Sequence, residues 1–170
     1  PDEAPNVVMV VLDDVGFAQL GCFGGTIATP NIDRLAAGGL RYNRFHVTSV
    51  CSSTRASLHT GRNHHAVGMG VTEEAALGFP GYTGRIPPSA AMLARILRDA
   101  GYNTMAVGKW HLTPQTEYSA AGPFHRWPRP CLGRKATGTP WSSPTMMVSL
   151  GGPNGVSGVT SRTLLSPSIW

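Results

Sequence analysis

A chain of 170 residues is the size of one domain and long enough to bury a core. Its 41% hydrophobic content is ordinary for a globular protein, and no stretch approaches the ~20 continuous apolar residues of a membrane span. The net charge of +5 is unevenly placed: all nine acids precede residue 129, and residues 129–170 add Arg129, Arg134, Lys135 and Arg162. No Lys/Arg-rich run with interleaved aromatics occurs, so no nucleic-acid partner is expected. Pro1-Asp2-Glu3-Ala4-Pro5 has no charged start leading into an apolar run. No signal peptide is therefore visible, and a cytoplasmic location is favoured. Cys22, Cys51 and Cys131 are too few and too scattered for a disulfide framework, and no CxxC pair suggests zinc. Cys22 alone reads as a small buried hydrophobe.

In chain order, Val7 to Leu12 is a short, β-branched, fully apolar run, which predicts a buried parallel strand. Asp13-Asp14-Val15-Gly16 follows at its C-terminal end, where ligands bind in open α/β sheets. Thr29-Pro30 predicts a helix start and Gly38-Gly39 its stop. Leu40 to Val47 alternates as a half-buried strand would. Thr54 to Thr60 predicts a helix, with Cys51 just before its anion-favouring N-terminus. Residues 63–86 are Gly-rich and read as an irregular loop. Ser89 to Ala100 is an amphipathic helix carrying Met92, Leu93, Ile96 and Leu97, ended by Gly101. Thr104 to Val107 is a brief strand leading into Gly108-Lys109-Trp110-His111. This order argues for an α/β fold with a largely parallel sheet flanked by helices. More than half of residues 129–170 are Gly, Pro, Ser or Thr. That tail is expected to be disordered or out of frame, leaving 1–128 as the folded part.

The polar groups at these ends have chemistry in common. Asp13 and Asp14 are adjacent, so they converge on one ion only if the chain turns there; two hard oxygens favour calcium or magnesium over zinc. Cys51 and Arg55 are spaced C-x3-R, which is not the loop of a thiol phosphatase. Lys109 and His111 lie two apart on a strand end and share a face, where a cation and an imidazole can bind an anion and relay a proton.

The stretch Cys51-Ser52-Ser53-Thr54-Arg55-Ala56-Ser57-Leu58-His59-Thr60-Gly61-Arg62 resembles the signature of the sulfatase family, in which the Cys is converted to formylglycine. Asp13-Asp14, Asn31 to Ala36 and Gly108 to Leu112 are similar to further motifs of that family, in the same order, and the likeness covers roughly residues 5–128. The resemblance implies the N-terminal portion of an alkaline-phosphatase-like fold, truncated, and hydrolysis of aryl sulfate monoesters. It implies Asp13, Asp14 and residue 51 as ligands of Ca²⁺ (Mg²⁺ as the alternative), and a formylglycine at position 51 as nucleophile. Arg55 would hold that side chain, Lys109 would offset charge on the sulfate, and His111 would assist proton transfer. A formylglycine-generating enzyme and a small-molecule sulfate ester are the implied partners. Ser53 stands where the signature normally has Pro or Ala, and the later half of family members, which supplies further metal ligands, has no counterpart here. The alternatives are a phosphonate or phosphate ester hydrolase of the same superfamily, or a non-catalytic sulfatase fragment.

Overall fold

The computed structural model describes residues 4–112 and 146–151. Three strands, β1 (Val7–Val11), β2 (Asn103–Val107) and β3 (Met146–Gly151), accompany three helices, α1 (Pro30–Ala37), α2 (Cys51–Thr60) and α3 (Leu93–Asp99). Four short 3₁₀ turns complete the elements. Contacts divide the described residues into two compact units, one of residues 4–13, 48–112 and 146–151 and the other of 14–47. Among the described residues no helix is long and apolar enough to cross a membrane.

The sheet of the first unit has the order β1-β3-β2. Both ladders are antiparallel, with Val7 opposite Leu150 and Val11 opposite Met146 on one side of β3, and Asn103 opposite Gly151 and Val107 opposite Met147 on the other. The expected parallel pairing is therefore absent among the described strands. β1 and β2 do run in one direction, but β3 lies between them. β3 also falls inside the segment expected to be a disordered or out-of-frame tail; the remainder of 129–170 lies outside the described residues.

The core is small-sided. Ala56 of α2, Ala94 of α3 and Ala106 of β2 are buried with Val67, Met69, Ala90, Trp110 and Leu112. Alanines at these points let helix and sheet backbones approach closely, and Met9, Val11, Met92 and Leu97 fill the margin. β1 was expected to be buried throughout, yet Val7, Val8 and Val10 are exposed and only Met9 and Val11 pack on the core. α3 is shorter than its apolar pattern predicts, and Leu93 and Ile96 face outward. It ends at Gly101, whose φ of +90° suits glycine.

α2 begins at Cys51, three residues before the predicted start, with Val50 as N-cap. Thr48 and Thr54 explain this. The Thr48 amide donates to Thr54 Oγ1 at 3.1 Å, and the Thr48 hydroxyl donates to the Val50 carbonyl at 2.9 Å. The segment 63–86 is not shapeless: it forms two 3₁₀ turns, His64–Val67 and Glu73–Ala75, and buries Val67 in the first and Met69 between them. Ser53 ties it to α2 by donating to the Met69 carbonyl at 2.5 Å.

In the second unit, α1 forms as predicted, with Thr29 at its N-cap and Gly38 at its C-cap. Thr29 Oγ1 donates to Asp33 and accepts from the Gly21 amide, both at 2.9 Å. Cys22 is only half-buried. The strand expected over Leu40 to Val47 does not form, and Leu40, Tyr42, Phe45 and Val47 are all exposed. Alternation alone does not make a strand when no neighbouring strand takes up the backbone groups.

His59 of α2 is 1% exposed, and its ring lies 5.1 Å from that of Trp110. Burial, aided by the charge of Arg55, pushes its pKa from 6.5 down to about 4. Between those values the unfolded chain binds a proton that the folded chain refuses, so stability falls as pH drops from 6.5 towards 4. Urea unfolding midpoints across that window should show a loss on the order of 3 kcal/mol. A flat profile would contradict the buried neutral imidazole.

Candidate active site

Because β1 and β2 point the same way, both end at one edge of the sheet, and the chain carries Asp13 and Lys109 out there. Two strand spacings, about 9–10 Å, separate β1 from β2. The Lys109 side chain is long enough to close that gap, and its Nζ donates to Asp13 Oδ2 at 2.7 Å. Arg55, one turn into α2, donates from Nη2 to Asp13 Oδ1 at 3.0 Å and from Nη1 to the Lys109 carbonyl at 2.7 Å. Arg55 and Asp13 are buried, with side chains 2% and 6% exposed. Asp13 thus joins two cations.

Cys51, at the first position of α2, lies against the same lysine: Lys109 Nζ donates to its Sγ at 3.3 Å. His111 Nδ1 is 3.2 Å from Sγ on another side. The far nitrogen of that ring, Nε2, is 3.2 Å from both carboxylate oxygens of Glu74. The result is a line of contacts running Asp13, Lys109, Cys51, His111, Glu74. Lys109 and His111 both reach Cys51, but not through strand alternation: β2 ends at Val107, and His111 has a φ of +55°. Glu74 is the member that sequence reasoning missed. It stands in the Gly-rich loop, 37 residues from its partner. Glu73 and Glu74 are the only acids between Asp33 and Asp99, and that is the one signal pointing to them.

Two non-glycine residues among those described have positive φ, Asp14 at +56° and His111 at +55°. Both were singled out in the sequence, and such conformations concentrate where a site dictates the backbone. At Asp14 this is the turn that adjacent carboxylates require, although it is made by the aspartate itself rather than by Gly16. Asp14 is exposed and belongs to the second compact unit. The structure brings together Asp13, Cys51, Arg55, Lys109 and His111.

The charges reinforce one another. Burial alone would raise the Asp13 pKa, but the hydrogen bonds from Lys109 and Arg55 outweigh it and hold the carboxyl below its ordinary value. Burial alone would lower that of Lys109, and its bonds to Asp13 and Cys51 push it up instead. Glu74 is held low, first by a bond from its own backbone and, against the effect of burial, by His111.

No three His, Cys, Asp or Glu side chains gather as a metal site among the described residues. Calcium takes six to eight oxygens. Here the Asp13 carboxylate is already engaged on both oxygens by cations, and an added dication would be repelled by Arg55 and Lys109. As arranged, these residues do not fit a bound calcium ion.

The sulfatase family pattern matches residues 5–158, most of the chain. The chain belongs to the sulfatase family. Among similar sulfatases, an uncharacterized sulfatase of Schizosaccharomyces pombe is 42% identical over 127 residues, covering 69% of this chain and 23% of that protein. The arylsulfatase of Klebsiella aerogenes is 36% identical over 112 residues, covering 65% and 24%. Human arylsulfatase A is 41% identical over 128 residues, covering 72% and 24%. The chain spans about a quarter of the length of these relatives. The family is known for an alkaline-phosphatase-like fold.

The buried ion pair carries a stability prediction. Arg55→Ala should cost about 2–3 kcal/mol, because it removes one of the two cations that hold Asp13 in the interior and takes the donor from the Lys109 carbonyl. The exposed Arg62→Ala should change stability by less than about 0.5 kcal/mol. Urea melts of the two variants check this; equal midpoints would mean that Asp13 is not held as described.

Proposed function

We propose that this chain carries the nucleophile-bearing part of a hydrolase for sulfate monoesters, aryl sulfates foremost. The observation that carries the reading is position 51, set between an ammonium that donates to it and an imidazole backed by a carboxylate. Sulfate ester cleavage moves negative charge onto peripheral oxygens and a leaving alkoxide, and both need a cation and a proton source close to one attacking atom.

The surroundings of Cys51 suit the family's formylglycine, since a donor and a donor-or-acceptor already face the side-chain tip. When formed, that group supplies a hydrated aldehyde, whose hydroxyl is the nucleophile. Lys109 offsets charge on the sulfate oxygens. His111 moves a proton at the side chain of residue 51, with Nε2 held towards Glu74. Arg55 contributes through Lys109, whose main chain it fixes, and through Asp13, which holds the ammonium in place. Calcium is the family's other cofactor. Asp13 would have to share or release Lys109 to bind it.

Co-expression with a formylglycine-generating enzyme, mass analysis of residue 51, and an aryl sulfate assay test the reading. Lys109→Ala and His111→Ala should each lower turnover on the order of 100-fold. A converted residue 51 with no turnover would overturn it, and faster cleavage of an aryl phosphonate would transfer it to the phosphonate hydrolases.

Ser53 gives a separate prediction. It is the third residue of α2, where proline is tolerated, and its hydroxyl bonds Met69. Ser53→Pro restores the family signature and should raise the converted fraction of Cys51 at a cost of about 1 kcal/mol in stability. Peptide mass spectrometry and a urea melt read the two effects.

A further inference from the structure

While residue 51 remains a cysteine, its surroundings amount to a different catalyst. Cys51 Sγ, His111 Nδ1 and the Glu74 carboxylate stand in series, each step 3.2 Å. That is a nucleophile, a base and the group that orients the base, within hydrogen-bond reach of one another. With Nε2–H donated to Glu74, the lone pair of Nδ1 faces the thiol, which is the tautomer a general base requires. Lys109 Nζ, 3.3 Å from the sulfur, places a positive charge beside any anion that forms there. Cys51 is half-buried and opens α2, a helix of ten residues.

We propose that the unconverted chain is a cysteine acyl-transfer catalyst for activated aryl carboxylic esters, an activity separate from sulfate ester hydrolysis and independent of formylglycine. His111 takes the thiol proton as sulfur bonds to the acyl carbon. The carbon–aryloxide bond breaks, and the proton passes to the departing phenol, leaving an acyl thioester on Cys51. Water, deprotonated by His111, then adds to the thioester carbon; carboxylic acid leaves and the thiol is restored. No oxidant, metal or cofactor enters the balance.

The full chain is made by cell-free translation without a maturation enzyme, with mass analysis confirming cysteine at 51, and treated with p-nitrophenyl acetate. The acetyl mass should appear on the Cys51 peptide on the order of 100-fold faster than on the Cys22 peptide. Nitrophenol release should show a burst followed by slower turnover. Glu74→Gln should slow acetylation by about 10-fold, less than the ~10⁴ lost in buried triads because Glu74 is 59% exposed. Cys51→Ser, which keeps the helix start, should abolish the burst. Equal acetylation of Cys51 and Cys22 would overturn the proposal. So would a Cys51 rate untouched by both Glu74→Gln and His111→Ala. Sulfate ester hydrolysis is read on converted protein with a different substrate, so either activity can fail without the other.

Discussion

The buried Asp13 carboxylate, shared between Arg55 and Lys109, is the constraint on which the rest of the site depends. A carboxylate at 8% exposure is costly alone and tolerable only with cations at hydrogen-bond distance. Satisfying it recruits one cation from α2 and one from the far side of the sheet. Once Lys109 is drawn across to Asp13, its ammonium necessarily lies beside Cys51, because α2 supplies both Arg55 and Cys51. One electrostatic requirement thus sets the position of a helix, a strand end and a thiol.

The order of the sheet gives that requirement its reach. With β3 between them, β1 and β2 end at the same edge but cannot touch, so only a long side chain joins them. Lysine fits that span, and the arginine underneath takes the other oxygen of the same carboxylate while holding the lysine main chain. The small-sided core serves the same end. Alanines at 56, 94 and 106 let α2 and α3 sit close to the strands, which brings the first turn of α2 within range of both strand ends.

Much of this was legible in the residues. An apolar β-branched run marked β1, the short stretch Thr104 to Val107 marked β2, Thr29-Pro30 marked α1, and Thr54 to Thr60 marked most of α2, since each is a local signal with a local cause. Asp13, Arg55, Lys109 and His111 stood out because their motifs occur together in the order of one family, although each alone reads as an ordinary polar turn, helix or strand end. The parts that could not be read are those decided by distant partners. Met146 to Gly151 has little internal pattern, and its place comes from the gap between two other strands. Leu40 to Val47 has the right alternation and no described neighbour to pair with. Glu74 is one of two acids in a glycine-rich loop, and only the folded position of His111 distinguishes it from Glu73.

Among the described strands, the one latest in sequence is also central in the sheet. β1 and β2 each hydrogen-bond to β3 and not to one another, so neither ladder can close until residues 146–151 have been synthesised. On the ribosome, Asp13 and Lys109 therefore wait as unpaired charges at the ends of two unzipped strands, and the β1–β3 pairing closes a loop of more than a hundred residues. Such topology is slow to nucleate, because loop closure precedes any reward from pairing. An enzyme that modifies Cys51 in an extended chain would have that interval in which to act, before the helix start is folded against its lysine and histidine.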